Sequence, residues 1–176
     1  MLRPLPLLLT VACASDPQDG AASQPAPLVV TSSAFTDGGP IPAEFTCDGE
    51  NVSPPLSWSG APTGTRGVAI IVDDPDAPAG TWVHWVVYDL PPTIDGVPRD
   101  ASSALPEPAR HGKNSWGDAA WGGACPPSGR HRYVHHVYAL DTITSLVGTP
   151  TRDQLDAAMA GHVLAAGELV GTYEKR

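Results

Sequence analysis

The sequence predicts a mainly β protein, an antiparallel sandwich or barrel-like domain with one or two short helices near the C-terminus. Three observations carry this reading. Of 176 residues, 20 are proline and 18 glycine, a level that favours many turns and short strands over a helical bundle. About six to eight short extended runs are separated by turn formers, the spacing expected of a sandwich. The one strong helix start, at Thr151, comes late in the chain. Apolar residues make up 41 % of the chain, and the length suits one domain with a sizeable core.

Residues 28–35 read as a first strand, closed by the turn Asp37-Gly38-Gly39-Pro40. Residues 41–55 are rich in turn formers, and Leu56-Ser57-Trp58 begins a second extended piece. Residues 67–73 have a continuous apolar centre, Val68-Ala69-Ile70-Ile71-Val72, which predicts a strand buried on both faces. Residues 82–90 form the next strand. Strict alternation assigns Trp82, His84, Val86 and Tyr88 to one face and Val83, Trp85 and Val87 to the other. Pro91-Pro92 ends it, because proline cannot donate to a ladder. Residues 93–128 carry few apolar runs, and so long a connection in a compact domain points to function. Residues 132–140 are a clear strand. Thr151 and Gln154 have capping-box spacing, with Leu155, Ala158 and Met159 as the apolar face and Gly161 as the break. Residues 162–166 read as a further turn and 168–173 as a last short strand.

The formal net charge of −9 disfavours nucleic acid as a partner, since phosphate backbones need a basic face. It equally disfavours electrostatic docking on anionic lipid. The N-terminus reads as a targeting segment over residues 1–13. Arg3 supplies a positive charge, an apolar stretch too short to span a bilayer follows, and Cys13 comes after a small residue. This looks like a bacterial lipoprotein signal with Cys13 as the lipidated residue; ordinary secretion and a misassigned start are the alternatives. Residues 14–27 hold no large apolar residue and read as a disordered tether to a domain spanning 28–176. The expectation is an exported protein, anchored to a membrane through lipid alone or free in the periplasm. In that compartment Cys47 and Cys125 predict one disulfide, two buried free thiols being the alternative. No spacing matches a structural zinc site.

Candidate chemistry gathers around two segments. Asp73-Asp74-Pro75-Asp76-Ala77-Pro78 ends a strand with three carboxylates, and His84 follows between Trp82 and Trp85. A carboxylate contact would hold that imidazole in one tautomer. Downstream, a Pro126-Pro127 loop leads into His131-Arg132-Tyr133, with His131 and Tyr133 on one face and Arg132 free to pair with an aspartate. His135 and His136 alternate across the strand, so they form no two-histidine metal clamp and read as structural. His111 and His162 have no evident partner. No G-x-S-x-G elbow, H-E-x-x-H, P-loop or dinucleotide fingerprint is present, and Ser115 has no base tied to it.

Together, Asp74-Pro75-Asp76-Ala77-Pro78, Trp82-Val83-His84-Trp85 and Cys125-Pro126-Pro127 followed by His131-Arg132-Tyr133 resemble the phosphatidylethanolamine-binding protein family, also called the Raf kinase inhibitor protein family. Phe45-Thr46-Cys47-Asp48-Gly49-Glu50, Gly112-Lys113-Asn114-Ser115-Trp116-Gly117 and Glu168-Leu169-Val170-Gly171-Thr172-Tyr173 are similar to its bacterial branch. The resemblance spans residues 28–176. It implies a β-sandwich with a small anion pocket near one end, taking phosphate or a phospholipid headgroup without a cofactor. Asp74, His84, His131 and Tyr133 would line it, with Asp76, Pro78, Trp82 and Pro126 at its wall or rim. A neutral or protonated imidazole pair, a tyrosine hydroxyl and loop N–H groups supply donors for an anion. On this reading Asp74 holds His84 and raises its pKa. The implied function is non-catalytic binding. The alternative is a regulator that inhibits a kinase or protease by contact, whose target is unknown. A phosphoester hydrolase lacks an activated nucleophile.

Overall fold

A computed structural model describes residues 25–175. Its strands are β1 (Ala26–Pro27), β2 (Val29–Thr31), β3 (Leu56–Ser59), β4 (Gly67–Asp74), β5 (Trp82–Leu90), β6 (Gly96–Val97), β7 (Arg110–His111), β8 (Arg130–Leu140) and β9 (Val163–Glu174). The helix α1 (Arg152–Met159) precedes the last strand. One sheet has the order β1-β9-β8-β4-β5-β7 and a second the order β2-β3-β6. All pairings are antiparallel except that of β1 with β9.

The apolar run of β4 explains the layering. All eight of its residues are buried, so the sheet must be covered on both faces. Val68, Ile70 and Val72 point into one core with Trp58, Trp85, Val87, Tyr133 and Val137, beneath the three-stranded sheet. Ala69 and Ile71 point the other way, into a core with Val86, Tyr88, Leu140, Leu155 and Met159 beneath α1. The result is a sandwich with a helix on its outer face. The helix begins as its sequence demands. Thr151 and Gln154 cap each other, Leu155 and Met159 are buried, and Gly161 leaves the helix at φ +81°.

Four expectations change. Residues 162–166 are not a turn, because Val163 already begins β9, a twelve-residue strand paired along β8. The sheet also starts inside the stretch read as tether, where Ala26–Pro27 lies alongside β9. The segment 1–13, Cys13 and residues 14–24 lie outside the described residues. The long connection 93–128 contains β6, a 3-10 turn at Ala101–Ser103 and β7. Strict alternation fails in β5: Val72 pairs with Trp85 but Asp73 pairs with Val83, which leaves His84 as an extra residue in a bulge. Val83 therefore shares the helix-side core with Val86 and Tyr88, and His84 turns to the sandwich side beside Tyr133. Of the two cysteine readings the disulfide holds, closing a separation of 78 residues between Cys47 and Cys125.

His135 is fully buried between the rings of Phe35 and Trp121, its Nδ1 donating to the Tyr133 carbonyl. Burial above all pushes its pKa from 6.5 down to about 4. The unfolded chain therefore takes the proton first as pH falls. The stability tied to neutral His135 is complete above pH 6.5 and is lost between 6.5 and 4, by roughly 3 kcal/mol. Urea unfolding across this range should show that loss, and His135→Leu should remove most of its slope. An unchanged slope in the variant would assign the loss to other groups.

Candidate functional site

Residues at the C-terminal end of β4, the start of β5 and the start of β8 meet at one end of the sandwich. Consecutive strand residues face opposite ways, and this separates the two acids at the end of β4. Asp74 turns toward the sandwich. Its Oδ2 accepts from His131 Nδ1 at 2.7 Å and its Oδ1 from the Asp76 backbone N–H at 2.8 Å. Asp73 turns toward α1, where it pairs with Arg152 and lies 3.4 Å from His136 Nε2. His135 and His136 do lie on opposite faces.

The turn after β4 is held from β8. Arg132 grips Asp76 through Nε at 2.9 Å and Nη2 at 2.7 Å, and its backbone N–H donates to the same carboxylate at 2.9 Å. This bonding lowers the Asp76 pKa to about 2. Asp76 is thus a strut rather than a free acceptor, and Pro78 is an exposed turn residue. Pro126 is buried in the loop that reaches Cys125.

His84 is held from the other side. Residues 112–122 run along the outer edge of β5: Gly112 N–H donates to the Val86 carbonyl, Ser115 N–H to Val83 and Gly122 N–H to His84, all within 3.0 Å. Asn114 organises this loop, accepting from the backbone N–H groups of Trp116 and Asp118 while its amide donates to the Ala120 carbonyl. The Gly122 carbonyl accepts from His84 Nδ1 at 2.6 Å. A carbonyl only accepts, so Nδ1 carries the hydrogen and Nε2 of the neutral ring is an acceptor. Trp116 stands edge-on to both His84 and Trp82, with ring centroids 5.1 and 5.3 Å away. A Cβ on Gly122 would come within 2.5 Å of that indole, which is why glycine is needed there.

The contact expected between Asp74 and His84 does not form: His84 Nδ1 donates to the Gly122 carbonyl, and Asp74 accepts from His131 and the Asp76 N–H. The His84 pKa is lowered rather than raised. Burial dominates, and the Gly122 and Gly123 carbonyls with Asp74 and Asp73 oppose it only partly. Tyr133 lies beside His84, centroids 5.1 Å apart. Among the described residues its hydroxyl is buried with no acceptor for its hydrogen, while the Cys125 backbone N–H faces its oxygen. Burial, then the Asp74 charge, pushes its pKa up, so it stays protonated and able to donate. Trp82 Nε1 is likewise buried and unpartnered.

Sequence reasoning assigned no site role to Asn114, Trp116 or Gly122; the available signals were the long Gly- and Trp-bearing connection and the Gly112-Lys113-Asn114-Ser115-Trp116-Gly117 motif within it. His111 and His162 do have partners, Trp85 Nε1 and Asp141. No group of three or more metal-ligating side chains gathers among the described residues. An open cleft of about 910 Å³ lies between residues 38–48 and the end of β9, and among the described residues no unpartnered buried donor lines it.

Two sheets packed as a β-sandwich, with His84, Tyr133 and a carboxylate-braced His131 gathered at one end, define the class of fold. Residues 31–174 match the sequence profile of the phosphatidylethanolamine-binding protein family, and the chain belongs to that family. A UPF0098 protein of Methanothermobacter thermautotrophicus is 45 % identical over 144 residues, covering 81 % of this chain and 95 % of the relative. The crystal structure of a phosphatidylethanolamine-binding protein homologue from Chlamydia trachomatis superposes with a TM-score of 0.79 at 39 % identity, covering 85 % of this chain and 99 % of that one. YbcL of E. coli, a member of the same family, gives 0.80 at 35 % identity over 86 % of this chain and all of YbcL.

Trp116 is 48 % exposed yet shields the imidazole. Trp116→Ala should admit water and raise the His84 pKa toward its ordinary value, with Trp116→Phe in between. Proton NMR titration of the ring C–H signals measures this. An unmoved midpoint in Trp116→Ala would show that the indole does not desolvate the histidine.

Proposed function

We propose that this protein binds a small anionic ligand, phosphate or a phospholipid headgroup, in the pocket of His84 and Tyr133, and that it is not an enzyme. The single observation that carries the reading is the Tyr133 hydroxyl. A buried donor without a partner is costly, and an oxyanion accepting from it would satisfy it. Asp74 stands nearby, but two N–H donors already engage its charge. The non-catalytic reading draws on Ser115, the loop serine beside β5. Ser115 Oγ accepts from the Val83 N–H, and no histidine or carboxylate bonds to it. Display outside the cytoplasm, on a lipid at Cys13, belongs to the same reading.

The test is titration with inorganic phosphate, followed by NMR. Phosphate should move the signals of His84 and Tyr133. Tyr133→Phe removes one donor to a charged group and should weaken binding roughly 10- to 100-fold, and His84→Ala should abolish it. Equal affinity in both variants would sink the assignment.

A further inference from the structure

We propose that the Cys47–Cys125 bridge is a site of reversible thiol exchange, at which an external thiolate bonds to Cys47, Cys125 leaves as a thiolate beside Lys175, and the loop of residues 122–125 is released from residues 45–51. The attacking group is a small thiol or the thiolate of a dithiol oxidoreductase. The device holds whichever ligand the His84 end takes. The bridge can be reached, since Cys47 is exposed and Cys125 half-buried. The charges beside the two sulfurs also differ. Lys175 Nζ lies 4.0 Å from Cys125 Sγ, and a cation at that range stabilises a thiolate. Asp48 follows Cys47 in the chain and disfavours negative charge there, its carboxylate accepting from the Tyr173 hydroxyl at 2.7 Å. A better-stabilised thiolate leaves faster. Exposure and charge thus select the same bond change, attack at Cys47 and departure of Cys125.

The released loop reaches His84. On one side it rests on residues 45–51: the Cys47 N–H donates to the Ala124 carbonyl at 3.1 Å and the Gly123 N–H to Asn51 Oδ1 at 2.8 Å. Gly123 lies so close that a Cβ would come within 2.3 Å of that oxygen. On the other side the loop presents the Gly122 carbonyl to His84 Nδ1 and the Cys125 N–H to the Tyr133 oxygen. In the first step the electron pair of the S–S bond passes to Cys125 and a mixed disulfide forms on Cys47. In the second, another thiolate attacks the external sulfur of that mixed disulfide, releases Cys47 as a thiolate and carries away the external disulfide. The bridge gains two electrons and the external thiols lose two. An external disulfide runs both steps backward.

The test begins with glutathione on the oxidised full chain, quenched early with acid, alkylated with N-ethylmaleimide and mapped by fragment-ion mass spectrometry, which keeps Cys13 distinct from Cys47. Glutathione on Cys47 with maleimide on Cys125 should exceed the reverse pattern about tenfold. Equal amounts, or the reverse, overturn the proposal. Lys175→Gln should slow the exchange about threefold and Lys175→Arg should restore it, the difference shrinking in about 1 M sodium chloride. An unchanged rate in Lys175→Gln overturns the role of the lysine. Excess dithiothreitol should then shift the His84 ring C–H signals in a spectrum that stays dispersed, and the paired substitution Cys47→Ser with Cys125→Ser should reproduce the shift without reductant. Unmoved His84 signals overturn the coupling of the bridge to the site. Collapse of the whole spectrum on reduction overturns it too, because the bridge would then hold the fold rather than the loop.

Discussion

The Asp74 carboxylate is the constraint on which this end of the molecule depends. It is buried at the last position of the most buried strand, and a charge there persists only if its lone pairs are met. His131 meets one oxygen from β8, and the Asp76 N–H meets the other from the following turn. One side chain thus ties three elements together. Removing a partner from a buried pair of this kind costs about 3–5 kcal/mol. Tyr133 lies two residues beyond His131, so the same bond sets where the tyrosine enters the sandwich.

The second support is the loop along the edge of β5. Without it the bulge at His84 would leave backbone groups unpaired, since β7 covers only Val87 and Tyr88. Gly112, Ser115 and Gly122 supply the missing N–H groups. Farther along, the Gly123 N–H is held by Asn51, the Cys47 N–H by the Ala124 carbonyl, and Cys125 by its disulfide to Cys47. In the chain-entropy picture a crosslink of this separation is worth about 4.5 kcal/mol. This end of the sandwich is therefore built from a buried strand end and a loop fastened at several points.

Much of this was legible in the sequence. The unbroken apolar run at Val68-Ala69-Ile70-Ile71-Val72 has one physical solution, a strand covered on both faces. The Thr151 cap and the pairing of Arg132 with an aspartate also followed from local chemistry. The orientation of His84 did not, because period-two alternation holds only while the ladder is regular, and the bulge depends on how β5 registers against β4. The partner of Asp74 was misread for a related reason. Proximity in sequence favoured His84, whereas the fold brings His131 from 57 residues away. Trp116 and Asn114 lay in an irregular stretch where nothing periodic marks which side chain turns inward.

The two histidines consequently play different parts. His131 braces the carboxylate, and His84 stands as a neutral ring whose hydrogen sits on Nδ1, held by the Gly122 carbonyl. The most direct test is the ¹⁵N spectrum of the imidazole nitrogens at pH 7.5 in the ligand-free protein. The account predicts a neutral His84 with its hydrogen on Nδ1. A His84 imidazolium, or a neutral ring with its hydrogen on Nε2, would contradict it.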